Sequence, residues 1–184
     1  MSNSAAPPRQ PLDAGAPSGL PCGDPSSDRV GASRHLVFVY GTLKRGYPNH
    51  VPDRDGERFI GNARTLHAYP LVSTGRWHIV VLVDEAGRGE RVEGELFELD
   101  EAALARWDDL ESVHLPDGYV RLAIPVESLD PLPVEDRGDP PQSGSALAAW
   151  AYLKPRARLG DVHKEFGARY PHDPDYVPRA RRTP

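Results

Sequence analysis

An apolar segment, Val37-Phe38-Val39-Tyr40, runs directly into Gly41-Thr42-Leu43 and then into Lys44-Arg45-Gly46-Tyr47-Pro48-Asn49-His50. A strand that leaves into a glycine turn exposes consecutive backbone N–H groups, and such groups form a concave cradle for a carboxylate or phosphate. Gly41 has no Cβ to hold a ligand off the backbone, although the plainer task of a glycine there is to let the chain turn. A second chemical feature is Glu111, seven residues after Leu104 and four after Trp107. At about 100° per residue, Leu104, Trp107 and Leu110 form one apolar helix face, and Glu111 projects from its middle while Asp109 points outward. An ionised carboxylate on a core-facing stripe costs several kcal/mol without a partner. Glu111 is therefore a group with a special task, the fraying end of the helix, or the partner of a buried arginine such as Arg121.

The elements that must position these groups are short. Apolar, β-branched runs at Leu36–Tyr40, Phe59–Leu66, Tyr69–Ser73, His78–Asp84, Val92–Leu99, Tyr119–Val126 and Leu147–Leu153 have strand length and are bounded by Gly, Pro or Asp. One long helix stands among them, Glu101 to about Val113, with Asp100 as its N-cap. Six or seven strands with so little helix predict an α+β fold, a small mixed β-barrel flanked by a few helices. Residues 1–33, rich in Pro, Gly, Ala, Ser and Asp, have too little apolar pattern to offset the entropy of ordering and are expected to be a disordered extension. The domain is expected over 34–178, with a long exposed Pro-rich loop at about 129–145 and a solvated basic tail at 179–184.

Composition narrows the function classes. With 184 residues, 20 of them Pro and 17 Gly, the chain supports one core rather than two. A net charge of −5 argues against a nucleic-acid surface, which needs a clustered basic excess. One cysteine, Cys22, excludes an intrachain disulfide framework and a multi-thiolate metal site within the chain. Histidines at 35, 50, 67, 78, 114, 163 and 172 form no close i, i+4 pair and no His-Glu-x-x-His motif, so no catalytic metal is expected. Ser112 and Thr42 lack the Gly-x-Ser-x-Gly frame of a nucleophile elbow. No run reaches the 18 or so apolar residues of a membrane span, and the first 33 residues lack the apolar centre of a secretory signal. The expected setting is soluble and cytoplasmic, without nucleic acid, membrane or cofactor, and the sequence carries no signal for an oligomeric state.

Tyr40-Gly41-Thr42-Leu43-Lys44-Arg45-Gly46 with Pro48-Asn49-His50, Tyr69-Pro70-Leu71-Val72, Val92-Glu93-Gly94-Glu95-Leu96-Phe97, Asp108-Asp109-Leu110-Glu111-Ser112 and Tyr119-Val120-Arg121 together resemble, in order, the γ-glutamylamine cyclotransferases of the γ-glutamyl cyclotransferase and AIG2-like superfamily. The resemblance implies a small barrel fold and a cofactor-free reaction. In it, the α-amino group of an L-γ-glutamyl amide attacks its own side-chain carbonyl, closing 5-oxoproline and expelling an amine. It makes Glu111 the general acid/base and Tyr40, Gly41, Thr42 and Leu43 the group around the substrate's α-carboxylate. Tyr40 and Tyr119 are candidates to line the pocket, or are half-buried packing. Lys44 and Arg45 either steer an anionic substrate or form a solvated turn. The partner implied is a small-molecule γ-glutamyl compound. Other readings are a γ-glutamyl-amino-acid or glutathione cyclotransferase, a biosynthetic γ-glutamyl-removing enzyme like that of the butirosin pathway, and a non-catalytic AIG2-like binding domain.

Overall fold

A computed structural model describes residues 33–131 and 144–182. The disorder expected for 1–33 concerns residues that, save for Ser33, lie outside the described ones, as does most of the expected 129–145 loop. The strands are β1 (Arg34–Val39), β2 (Glu57–Tyr69), β3 (Leu71–Thr74), β4 (Ile79–Val83), β5 (Glu90–Asp100), β6 (Val120–Ser128), β7 (Ala146–Lys154) and β8 (Val162–Phe166), with helix α1 (Glu101–Leu110) between β5 and β6. Single 3-10 turns occur at Arg156–Arg158 and Arg179–Arg181. Among the described residues no helix is long and apolar enough to cross a membrane.

The seven expected strands all form, and pairing of β1 with both β5 and β7 closes the circuit β1-β5-β2-β6-β7 into a small barrel. From β7 the sheet continues through β4 and β3 to β8. Alternation along β1 and β5 divides the apolar residues between two cores. Phe38 and Leu96 face the barrel interior with Tyr69, Leu82, Val92 and Val126. Val37, Val39, Phe97 and Leu99 face outward and are covered by Ala103, Leu104 and Trp107 of α1. This period-2 division is what a strand buried on both faces requires.

Two topological facts place the functional end of the barrel. First, β7 offers one edge to two parallel neighbours: Val37 of β1 pairs with Trp150, and Leu82 and Val83 of β4 pair with Leu153 and Lys154. The edge passes from β1 to β4 just where β1 ends, so the chain forks at Tyr40. Second, β5 is antiparallel to β1, with Asp100 opposite Arg34, and α1 starts at the next residue. A helix of ten residues runs about 15 Å and a strand of six about 20 Å, so α1 returns along β1 and ends near the fork.

The eighth strand was not among those expected. Val162-His163-Lys164-Glu165-Phe166 has one apolar residue at each end and, among the described residues, pairs only with β3, as an edge of the sheet. The helix is also shorter than expected and, among the described residues, stands alone apart from the two 3-10 turns. Asp100 does cap it, accepting from the Ala103 N–H at 2.8 Å. However, α1 ends at Leu110, not Val113, and Glu111 is its C-cap.

Candidate active site

The C-terminal end of α1 closes in a Schellman arrangement, which sets the direction of Glu111. The Val113 N–H donates to the Asp108 carbonyl at 3.1 Å, and the Ser112 N–H to that of Asp109 at 3.1 Å. Ser112 takes the left-handed position at φ 55°, where glycine is usual. The Glu111 N–H still bonds the Trp107 carbonyl at 2.9 Å, so its side chain keeps the helical direction. The chain then coils back through Gly118, where a Cβ would lie 1.8 Å from the Ser112 carbonyl oxygen, and the Tyr119 N–H donates to the Glu111 carbonyl at 3.1 Å. The helix end is therefore fixed rather than frayed. Nor does Glu111 pair with Arg121, which bonds Asp108 at 2.6 Å, while the Tyr152 hydroxyl donates to the other Asp108 oxygen at 2.9 Å.

Glu111 enters a cavity of about 260 Å³ whose wall includes Tyr40, Gly41, Thr42, Leu43 and Tyr119, so all six residues expected in the site are brought together. Among the described residues its carboxylate has no hydrogen-bond or ion-pair partner. Burial pushes its pKa up to about 7, against the opposing charges of Arg179, Lys154 and Arg182.

The turn after β1 has its own supports. The Lys44 N–H donates to the Gly41 carbonyl at 3.2 Å and the Asn49 N–H to the Thr42 carbonyl at 3.0 Å. The Asn49 side chain donates to the Thr42 hydroxyl at 2.9 Å and the Tyr176 hydroxyl at 2.8 Å. The N–H groups of Gly41, Thr42 and Leu43 donate to no acceptor among the described residues, and they are free for an anion in the cavity. Gly41 is required for a reason the sequence did not show: a Cβ would come within 2.6 Å of Val80 Cγ1 on β4. The fork itself, rather than only a ligand, needs glycine here.

The two tyrosines are walls with committed hydroxyls. Tyr40 donates to the Tyr152 carbonyl at 2.5 Å, and Tyr119 to the Val80 carbonyl at 2.8 Å. Burial raises both pKa values well above the usual tyrosine range. Of the alternatives expected for Lys44 and Arg45, a solvated turn or a pair that steers an anionic substrate, the solvated turn holds for the exposed Arg45 and not for Lys44. Lys44 is buried, donates to the Tyr170 carbonyl at 3.3 Å and lies over the Tyr47 ring. Arg45 stacks 3.3 Å from the Phe59 ring centre and pairs with Glu95.

Sequence reasoning missed the cationic side of the cavity. Lys154, at the end of β7, donates to the Asp117 carbonyl at 2.7 Å and sits over the Tyr119 ring, its pKa lowered by burial. Arg179 and Arg182, expected to belong to a solvated basic tail at 179–184, instead reach the cavity wall beside Tyr176 of the preceding segment. That segment is held by the buried Tyr170 and by the Val177 N–H donating to the Trp77 carbonyl at 3.1 Å. No periodic pattern marks such a segment, since it packs by single anchors. One grouping of possible metal-ligating atoms, His78, Asp173 and Asp175, lies elsewhere. The Lys164 ammonium already sits on both carboxylates at 2.6 and 2.7 Å and supplies the cation they need.

A carboxylate with a raised pKa and backbone N–H groups without an acceptor line one small cavity, an arrangement of the kind that acid–base chemistry on an anionic small molecule needs. Comparison with known proteins shows the family. The family described as gamma-glutamyl cyclotransferase, AIG2-like matches residues 37–176. The human gamma-glutamylaminecyclotransferase is 38% identical over 158 residues, covering 80% of this chain and 99% of the human protein. The mouse protein of the same name is 36% identical over 154 residues, covering 79% and 98%. A crystal structure of an AIG2-like protein from Mus musculus is similar with a TM-score of 0.59 and 32% identity, covering 81% of this chain and 99% of that one. The chain belongs to the γ-glutamyl cyclotransferase, AIG2-like family.

Proposed function

We propose that the protein is a γ-glutamylamine cyclotransferase that converts an L-γ-glutamyl amide into 5-oxoproline and a free amine, with Glu111 as its general acid/base. The observation that carries this reading is the unpaired Glu111 carboxylate, raised to about 7, in the same cavity as the free N–H groups of Gly41, Thr42 and Leu43. The nucleophile is the substrate's own α-nitrogen. That nitrogen is an ammonium near neutral pH and must lose a proton before it attacks, and a carboxylate poised near 7 suits both accepting a proton and returning it.

The turn N–H groups hold the α-carboxylate, leaving the glutamyl chain to bend until its α-nitrogen meets its side-chain carbonyl carbon. Such alignment supplies several kcal/mol of the barrier. As the new C–N bond forms and the bond to the departing nitrogen breaks, two protons cross from the α-nitrogen to the leaving nitrogen, and Glu111 is placed to carry them. Tyr40 and Tyr119 supply an apolar, water-excluding wall, since their protons are committed to backbone carbonyls. Incubation of the protein with a panel of γ-glutamyl amides, with 5-oxoproline and free amine as the readout, tests the reading. Stoichiometric release of both supports it; binding without turnover across the panel makes the protein a binding domain.

A further inference from the structure

Lys154 stands apart among the charged side chains of the cavity wall. It lies at the end of β7, opposite Val83 of β4, and only 8% of it is exposed. A buried ammonium is costly unless it is paired and hydrogen-bonded. Yet among the described residues Lys154 makes no direct contact with a carboxylate, and its Nζ donates to one acceptor, the Asp117 carbonyl at 2.7 Å. The Tyr119 ring, 4.7 Å from Nζ, adds a cation–π contact. An ammonium has three N–H donors, so two remain for whatever enters the cavity. The bond to Asp117 alone needs no positive charge, since a neutral amide would make it. Other donors of the wall are differently placed. Tyr40, Tyr119 and Tyr152 have spent their hydroxyl protons on the Tyr152 carbonyl, the Val80 carbonyl and the Asp108 carboxylate. Arg179 is exposed, and Arg182 donates to the Val177 carbonyl and the Tyr176 hydroxyl.

Ring closure, in the cyclotransferase reading on which this inference rests, calls for such a group. When the α-nitrogen bonds to the side-chain carbonyl carbon, the carbonyl π pair moves onto its oxygen, which becomes an anion on a tetrahedral carbon. As that pair returns to remake the C=O bond, the bond to the leaving nitrogen breaks, and that nitrogen departs with the proton that Glu111 returns. In that reading the turn N–H groups hold the α-carboxylate and Glu111 handles the protons, so neither meets the charge on this oxygen. A fixed donor in a site of low dielectric is worth far more than one in water and needs no rearrangement as the charge develops. We propose that the Lys154 ammonium is a second catalytic group of the site, holding the side-chain carbonyl oxygen of the glutamyl unit as it becomes an oxyanion. Asp117, through its carbonyl, is the positioning residue that fixes Nζ. Burial lowers the Lys154 pKa, which makes its N–H groups stronger donors.

Lys154→Gln is the test, because glutamine can still donate to the Asp117 carbonyl but carries no charge; Lys154→Met takes its place if that variant does not fold. With a γ-glutamyl amide that the wild type turns over, kcat at each protein's own pH optimum should fall by about 10²–10³ with KM little changed, the scale for loss of one oxyanion donor. Lys154→Arg should recover part of the loss. The optimum is the right point of comparison because loss of the Lys154 charge also raises the Glu111 pKa further, which moves the acid limb of the profile to higher pH. A profile that merely moves, with its optimum kcat intact, overturns the proposal and leaves Lys154 as a group that tunes Glu111. So does a rise in KM with kcat unchanged, which would put the ammonium on the glutamyl α-carboxylate. If no amide is turned over, binding separates the two claims. The probe is a phosphinate analogue of the γ-glutamyl amide, in which an anionic tetrahedral phosphorus and a methylene replace the carbonyl carbon and the amide nitrogen. Calorimetry should show the wild type binding it about 10-fold or more tightly than Lys154→Gln does, with 5-oxoproline bound equally by both. That result, without turnover, keeps the anion-holding role of Lys154 while the cyclotransferase reading fails; equal phosphinate affinity in the two proteins overturns both.

Discussion

Glu111 illustrates how one residue's surroundings set both its chemistry and its cost. A carboxyl group raised from 4.5 to about 7 holds a proton in the folded chain that the unfolded chain has already released, throughout that window. Wild-type stability should therefore be complete below about pH 4.5 as far as this group is concerned, fall between pH 4.5 and 7, and level off above, a loss of up to about 3 kcal/mol. Glu111→Gln should lack this component. In urea unfolding, the variant should gain on the wild type between pH 5 and pH 8; parallel curves for the two proteins would mean that the half-buried Glu111 carboxyl is not desolvated. The carboxylate stood out in the sequence because a charged residue at helical spacing from Leu104 and Trp107 calls for an explanation, and the fixed helix end and the Arg121–Asp108 pair remove the two ordinary ones. Its neighbours Arg179 and Arg182 were not legible, since three arginines near a chain end carry no spacing that distinguishes a wall from a tail.

At the scale of elements, the end of α1 matters more than its length. Helical periodicity correctly oriented Glu111, but it could not reveal that the helix stops one residue earlier, because a serine in a glycine position hides the usual stop signal. Ser112→Gly relieves the left-handed strain and removes the acceptor for Arg179. Thermal unfolding should show a gain of about 1 kcal/mol, or a few degrees, while kcat/KM for the preferred substrate declines. An unchanged or lower melting temperature would contradict the strain argument. The strands were legible because each is a compact β-branched run. β8 was not, because an exposed edge strand has only alternate residues to bury and three of its five are polar or charged. The Gly41 requirement was half legible: the turn was evident, whereas the contact with Val80 depends on β4 arriving at the fork from forty residues away in sequence.

For the whole molecule, the barrel's closure does functional work by forcing a fork. β7 has one edge for β1 and β4, and the hand-over between them leaves the turn N–H groups unpaired at the same end to which α1 returns. The residues that build this arrangement lie within 34–182, and deletion of residues 1–32 should leave melting temperature and turnover nearly unchanged. A large loss of either would show that the N-terminal segment contributes to the domain. The central claim, that an unpaired glutamate at the fork transfers the protons of ring closure, is tested most directly by the rate of 5-oxoproline formation in Glu111→Gln, with Asp108→Asn as the comparison. Glutamine keeps the size of the side chain but accepts no ammonium proton, so kcat should fall by about 10²–10⁴ in a protein that still folds. Asp108→Asn, which weakens the bonds to Arg121 and Tyr152, should be less stable but retain most of its turnover. A folded Glu111→Gln protein with near wild-type turnover, beside a folded but inactive Asp108→Asn protein, would contradict the account and move the proton transfer to Asp108.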